Sequence, residues 1–448
     1  MKNKFDKSLF NVTTSGGTLN LFKLTLPLLF ESVMLYMLGT VNTAVLSGYS
    51  ENSVAAVGAA NRLIMIVTFL PSVISYGTTV VLSNFIGAEK KRQAGKTTTS
   101  ALVLTFIFSV ILVPILMFFS KNILGLLNIK GTILAEADIY FRIRVLFSIF
   151  GSLSGVLLAI LRSYGYPTLT VVSGLATNVV NLLLNIYVIY FSKYSPVTGV
   201  EGVGYACIVG QIVGLIIAII GVRKKRIPFL VPRKNFLNYI GKILKIGIPS
   251  GVSSISFSLT QMVSTSFVAL IGVYALSAQV YFSNILCYAY LFSVSLGNAN
   301  ALLIGRLFGA RKYDHADKLN NQLIKITTLI NFTVSMLIII LRKPILSCFT
   351  TNEKIIELAL IIFIIDLFVE QARAISQVYE YALRAAGDVY FSFAILVVSC
   401  WVFGIGLSYV LAIPCGLGLI GCWIGLLADE TTRAVVTYFR WKSGRWKK

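Results

Sequence analysis

IGAEKKRQAGK (residues 86–96) and FGARKYDHADK (residues 308–318) stand 222 residues apart in a chain of 448. Gly87-Ala88 falls on Gly309-Ala310, Ala94 on Ala316 and Lys96 on Lys318. The offset holds in both directions. Upstream, Lys23 and Pro27 fall on Lys245 and Pro249, and Val41 and Thr43 on Val263 and Thr265. Downstream, LRSYG (161–165) falls on LRAAG (383–387). One constant offset across about 140 residues marks an internal duplication.

Each half is mostly apolar. Hydrophobic residues make up 56% of the chain and charged residues 12%. Soluble domains carry about 25% charged residues, so this chain lacks the polar surface to stay in water and belongs in a bilayer. A spanning helix takes about 20 apolar residues. Apolar segments fall at 21–47, 54–86, 97–120, 137–161, 168–191 and 203–222, then at 246–271, 277–305, 319–341, 355–383, 389–412 and 417–440. The expected fold is an all-α integral membrane protein of twelve transmembrane helices in two six-helix lobes related by a parallel repeat. Residues 1–222 form the N-terminal lobe, 223–245 a basic cytoplasmic linker, and 246–448 the C-terminal lobe with its tail. An even number of spans per half gives both repeats the same orientation. Paired repeats of this kind are a transporter architecture, with substrate bound between halves that rock.

The formal net charge of +22 sits mostly in loops. Taken alternately, one set of loops holds about 26 basic residues and the other about 6, which places both termini in the cytoplasm. The basic loops orient the protein and touch anionic lipid; a nucleic-acid partner is not expected. The first twenty residues are polar, unlike a cleavable signal peptide. Lacking an organelle-targeting signal, a twelve-span chain fits a bacterial inner (plasma) membrane. Six scattered cysteines without a CxxC spacing and a single histidine, His315, speak against a zinc or haem site. No Walker, GxSxG or HExxH sequence occurs. Neither ATP-driven pumping nor enzyme chemistry is expected, so energy has to come from an ion gradient.

Ionisable residues inside spans are costly and often functional. The tenth segment is the richest, with Asp366, Glu370, Arg373, Gln377, Glu380 and Arg384 at spacings that put them on one narrow helix face. That face reads either as a water-lined surface or as a salt-bridge ladder between helices. Glu31 stands alone in the first segment, with no basic residue one turn away on its helix. A lone carboxylate there suits proton coupling; otherwise it hydrogen-bonds a neighbouring helix. Asn42 and Thr43 lie farther along. Asn178, Asn181 and Asn185 share one face of the fifth segment. They can ligand a cation, hold a polar substrate, or bond helix to helix. Asp429, Glu430 and Arg433 in the last segment read as a structural cluster.

Taken in order, several motifs make the chain resemble the MATE family of multidrug and toxic compound extrusion transporters. They are Leu26-Pro27 followed by VNT (41–43), YGTTVVLSNFIGAEKKRQAGK (76–96), LRSYGYPTLTVVSGLATNVVNLLLNIYVIY (161–190), GVEGVGYAC (199–207), IGIPSG (246–251) and RWKSGRWKK (440–448). The resemblance covers nearly the whole chain and extends to a superfamily that includes lipid-linked oligosaccharide flippases. It implies two six-helix lobes that export amphipathic organic cations in exchange for sodium ions or protons. It also exposes departures. The family's first-span aspartate is Asn42 here, the acid ending the fifth-span run is Asn185, the seventh-span acid falls near the apolar Phe257, and a tenth-span acid falls near Arg373. Only Asn178 and Asn181 match directly.

The expected function is export of a small amphipathic compound, by alternating access, against protons or sodium ions. The departures shift its substrate toward zwitterionic, anionic or peptide-like compounds. Glu31, Asn42 and Asn185 are the expected ion-coupling residues. Asn178, Asn181, Glu370, Arg373, Gln377 and Glu380 are expected to bind substrate, and Pro27 and Pro249 to act as hinges. No cofactor or metal is expected beyond the coupling ion, and the chain is expected to work as a monomer. Two rivals are a flippase for a lipid-linked saccharide and a lipid-modifying membrane enzyme using the tenth-segment carboxylates.

Overall fold

The computed structural model describes residues 7–14, 17–47, 51–125, 131–191, 197–232, 235–347 and 352–447. Every apolar segment read from the sequence is helical. A short antiparallel hairpin, β1 (Asn11–Thr14) and β2 (Gly17–Asn20), precedes them. The first half then runs α1 (Leu21–Ser47), α2 (Glu51–Gly87), α3 (Lys91–Phe118), the short α4 (Ser120–Gly125), α5 (Gly131–Leu146), α6 (Ser148–Ser163), α7 (Pro167–Tyr190) and α8 (Gly199–Lys224). The second runs α9 (Phe236–Ile271), α10 (Val273–Gly309), α11 (Tyr313–Ile340), the short α12 (Arg342–Ser347), α13 (Glu353–Ala385), α14 (Val389–Ser399), α15 (Ser408–Ala412) and α16 (Gly418–Lys442). A π-helical stretch, Cys400–Leu407, joins α14 to α15.

Seven of the described helices are long and apolar enough to cross a membrane, and α5 with α6, bent by 47° at their junction, makes an eighth. Helices α13 and α16 carry several charged residues in their middles. Those charges lower the hydropathy of helices that are otherwise apolar.

The backbone repeats where the sequence does. Glu89 and Arg311, 222 residues apart, both adopt a left-handed conformation, at φ 62° and 56°. Gly165 and Gly387, at the same spacing, do so at 91° and 93°. Each pair turns the chain sharply out of one helix and into the next, and at the second pair only glycine takes the conformation without strain.

The chain divides into two compact units, residues 30–251 and residues 1–29 with 252–448. Relative to a division at the linker, the opening turns of α1 and α9 change places. Pro27 and Pro249 each lie inside a continuous helix, two residues before the division.

In the unit of residues 30–251, helices α2, α3, α5, α6, α7 and α8 enclose two apolar cores. One centres on Phe141, Val145 and Leu124, the other on Leu82, Ile160 and Leu161. Helices α7 and α8 pack most intimately. At Gly214 an added Cβ would strike the Thr177 hydroxyl, so glycine is what permits the approach.

In the other unit the polar N-terminus is not a free tail. Phe10, Val12 and Leu19 are buried with Leu21, Leu24 and Leu28 of α1 against α10, α11 and α13. Lys312 donates to the Thr13 carbonyl at 3.3 Å. The C-terminal turn closes on the same core. Trp446 stacks on Trp441 at 4.0 Å, and the Trp441 indole donates to Asp317 at 2.9 Å.

Candidate functional site

In the unit of residues 30–251, the polar side chains are mostly neutral. Glu31 is not the isolated acid that its own helix suggests. The last turn of α6 brings Arg162 to 3.3 Å, and Thr170, in the first turn of α7, donates to Glu31 at 3.2 Å. The LRSYG turn brings both partners to α1 from more than a hundred residues away, which is why spacing along one helix missed them. Glu31 also walls a cavity of about 220 Å³ whose polar lining includes Ser154, Ser173, Thr177, Asn178 and Gln211. Hydroxyls and amides are set into a lining that is mostly apolar, with Met34, Leu158, Val171 and Leu175, which suits a small amphipathic group.

The other two asparagines of the fifth segment lie deeper. Asn181 is buried and donates to the Cys207 sulfur at 3.1 Å. Asn185 is buried and donates to Asn181 at 3.2 Å. The three asparagines therefore do not form one ligand set: Asn178 faces the cavity, while Asn181 and Asn185 bond to helix neighbours. The Tyr140 hydroxyl donates to Asn61 at 3.3 Å. Asn42 is carried on α1, and its side chain falls outside the described residues.

The second unit is built on charge. Asp366, Glu370, Arg373 and Glu380 are all buried, so the stripe on α13 is not a water-lined face. It is an ion-pair ladder, and its partners come from α16. Arg373 pairs with Glu370 on its own helix and with Glu430 at 3.0 Å. Arg433 contacts Glu430 at 2.6 Å, Asp429 at 3.1 Å and Glu380 at 3.5 Å. Arg384 closes the ladder on Glu380 at 3.1 Å. The stripe and the last-segment cluster, separate in the sequence, are thus one network. Gln377 is half-buried on the same helix.

Neutral groups trim the network. Asn331 of α11 donates to Glu370 at 3.2 Å, and Arg373 lies over the Tyr290 ring at 5.3 Å. Ser399, at the start of the π-helical stretch, donates to Asp429 at 2.6 Å. That placement puts an irregular helix directly against a buried acid, where such stretches often serve function.

Among the described residues, five buried carboxylates therefore meet three guanidiniums. Asp366 has no ion pair among them, and its Oδ2 is buried without a hydrogen-bond partner. Burying charge is tolerable only when it is paired and hydrogen-bonded. An excess of two negative charges calls for bound protons or a cation. Among the described residues, no group of His, Cys, Asp and Glu is arranged to hold a metal ion.

The long apolar helices and the internal repeat define the class, a membrane transporter. The MatE family model matches the chain twice, over residues 27–187 and 249–410. The two matches begin 222 residues apart, the spacing of the internal repeat. The chain is 32% identical over 450 residues to the uncharacterized transporter YisQ of Bacillus subtilis, covering 100% of this chain and 99% of that protein. It is 28% identical to the probable multidrug resistance protein NorM of Thermotoga maritima, over 96% of this chain and 93% of that one. Two solved structures share the fold. A MOP superfamily transporter from Pyrococcus furiosus, described as having a binding pocket of reversed polarity, superposes with a TM-score of 0.86 at 19% identity, covering 96% of each chain. The Vibrio cholerae MATE transporter VcmN, in a mutant form, gives 0.87 at 21% identity over 95% of this chain and 96% of that one. This chain belongs to the MatE family, and it is a multi-pass membrane transporter.

Proposed function

We propose that the protein is an ion-coupled exporter that moves a small amphipathic compound out of the cell against protons or sodium ions. It does so as a monomer with twelve spans and both termini cytoplasmic, by alternating access. One observation carries the coupling: five carboxylates share three guanidiniums in a buried network on α13 and α16, with Asp366 outside every ion pair among the described residues. A proton arriving at Asp366 relieves part of the excess negative charge, and its departure restores it. Most other carboxylate oxygens in the network already face guanidinium groups, which a metal ion would have to displace. This favours the proton over sodium.

Glu31 no longer serves as the expected coupling site, because Arg162 and Thr170 already hold its carboxylate. It joins α1 to α6 and α7 and borders the cavity, where Asn178 and Gln211 would bind polar parts of the substrate. Pro27 and Pro249 remain hinge candidates, since each stands at a division between compact units. Relatives named for multidrug resistance support small amphipathic cargo.

The test is dye-monitored proton movement in everted vesicles on adding a panel of cations, anions and peptides. Asp366→Asn abolishes substrate-driven proton movement on this account. Full coupling in that variant would remove Asp366 from the mechanism, and a response to sodium alone would exchange the coupling ion.

A further inference from the structure

Among its described residues, the unit of residues 30–251 also holds a cation without a carboxylate partner. Arg144 lies in the last turn of α5, just before the bend into α6. Its neighbour Arg142 is satisfied by Asp138 at 3.0 Å and by Ser120. Arg162 is taken by Glu31. Arg144 has no carboxylate partner among the described residues, and its Nε is shielded from solvent without an acceptor. Its guanidinium stands 6.0 Å from the centre of the Tyr140 ring and within electrostatic range of the Cys207 sulfur. Asn181 donates to that same sulfur from the other helix, at 3.1 Å.

Asn181 thus spends a donor on a thiol, one of the weakest acceptors among side chains. A half-buried guanidinium with no carboxylate beside it among the described residues is poorly compensated. The repeat sharpens the point. Residues 222 positions beyond Arg144 and Cys207 are Asp366 and Asp429, both carboxylates. Here an arginine stands in place of the first aspartate and a neutral thiol in place of the second. Among the described residues no carboxylate supplies the missing negative charge, which leaves room for a bound anion.

We infer that Arg144 and Asn181, on either side of Cys207, form a subsite for a small monoanion, a carboxylate or a halide. The carboxylate is assigned to the exported compound, which rests on the export reading above. Arg144 offers a planar fork suited to a carboxylate, and the Asn181 amide supplies a further donor.

Cys207 itself is the probe. A full-length protein with Cys207 as its only cysteine is purified and labelled with two methanethiosulfonate reagents, one a sulfonate and one a quaternary ammonium. The sulfonate reacts faster by about tenfold, the effect of one nearby cation on opposite reagent charges at intermediate dielectric. Arg144→Gln brings the two rates together, and Arg144→Lys keeps most of the difference. In the protein with Arg144 intact, benzoate slows labelling. Protection by benzoate and not by chloride assigns the site to a carboxylate of the cargo, and equal protection by chloride assigns it to a free halide. Equal rates for the two reagents, a preference unchanged in Arg144→Gln, no protection by either anion, or no reaction at all would each overturn the subsite. Labelling needs no transport. Protection without coupled export would sink export alone, and coupled export without protection would sink the subsite alone.

Discussion

The two units use the same repeat for opposite chemistry. Backbone features recur at the 222-residue offset, as the left-handed Glu89 and Arg311 and the glycines 165 and 387 show. The charged side chains of the α13–α16 ladder do not. Arg144 corresponds to Asp366, Cys207 to Asp429, Gly151 to Arg373, Leu158 to Glu380 and Gln211 to Arg433. Among the described residues, one unit encloses amides, hydroxyls and a guanidinium with no ion pair, and the other a ladder rich in carboxylates. What both halves need in order to fold is kept in duplicate. What differs is not shared by the two halves, and it is where separate functions are best sought.

The largest effect expected from breaking this comparison is at Arg433. Arg433→Met strands Asp429 and takes one of two guanidiniums from each of Glu430 and Glu380, and losing one partner of a buried ion pair costs about 3–5 kcal/mol. Thermal unfolding in detergent should show a large drop. Gln211→Met, at the matching position beside the cavity, should fall by about 1 kcal/mol or less, as expected for a half-buried residue outside any ion pair. Equal losses would mean that the two units rely on polar side chains alike.

Asp366→Asn comes next and separates function from stability. It removes one charge from a network with negative charge in excess, so unfolding should shift upward or stay put while coupled transport is lost. A clear fall in melting temperature would show instead that Asp366 is held by a charge partner.

Glu31→Gln is expected to do less. The pair with Arg162 is partly exposed, and such pairs contribute about 0–1 kcal/mol. Coupled proton movement should persist with a weaker apparent affinity for substrate. The smallest change in coupled transport is expected from Trp446→Ala, whose effect falls on stability: it loses the burial of an indole and a stacking worth about 0.5–1.5 kcal/mol more. Protease sensitivity of the hairpin 11–20 would report it, because that segment shares its core with Trp446.

Much of the fold was legible in the sequence because bilayer helices need long apolar runs and the duplication supplied a second reading of each half. The hairpin was not, because only Val12 and Leu19 mark its buried face and their partners lie on α10 and α11. The site was legible by halves. A periodic stripe on α13 announced itself, while its α16 partners passed for a separate cluster, since spacing along one helix cannot place the helix opposite. Glu31 misled for the same reason. Arg144 left no signal in its local spacing. Only its position against Asp366 across the repeat, taken with the missing carboxylate, singles it out.

Substrate-driven proton movement in everted vesicles, compared between Asp366→Asn and Glu31→Gln, tests the central claim most directly. Loss in the first and retention in the second is the predicted result. Retention in the first and loss in the second would return coupling to the unit of residues 30–251 and contradict the division of labour between the two halves.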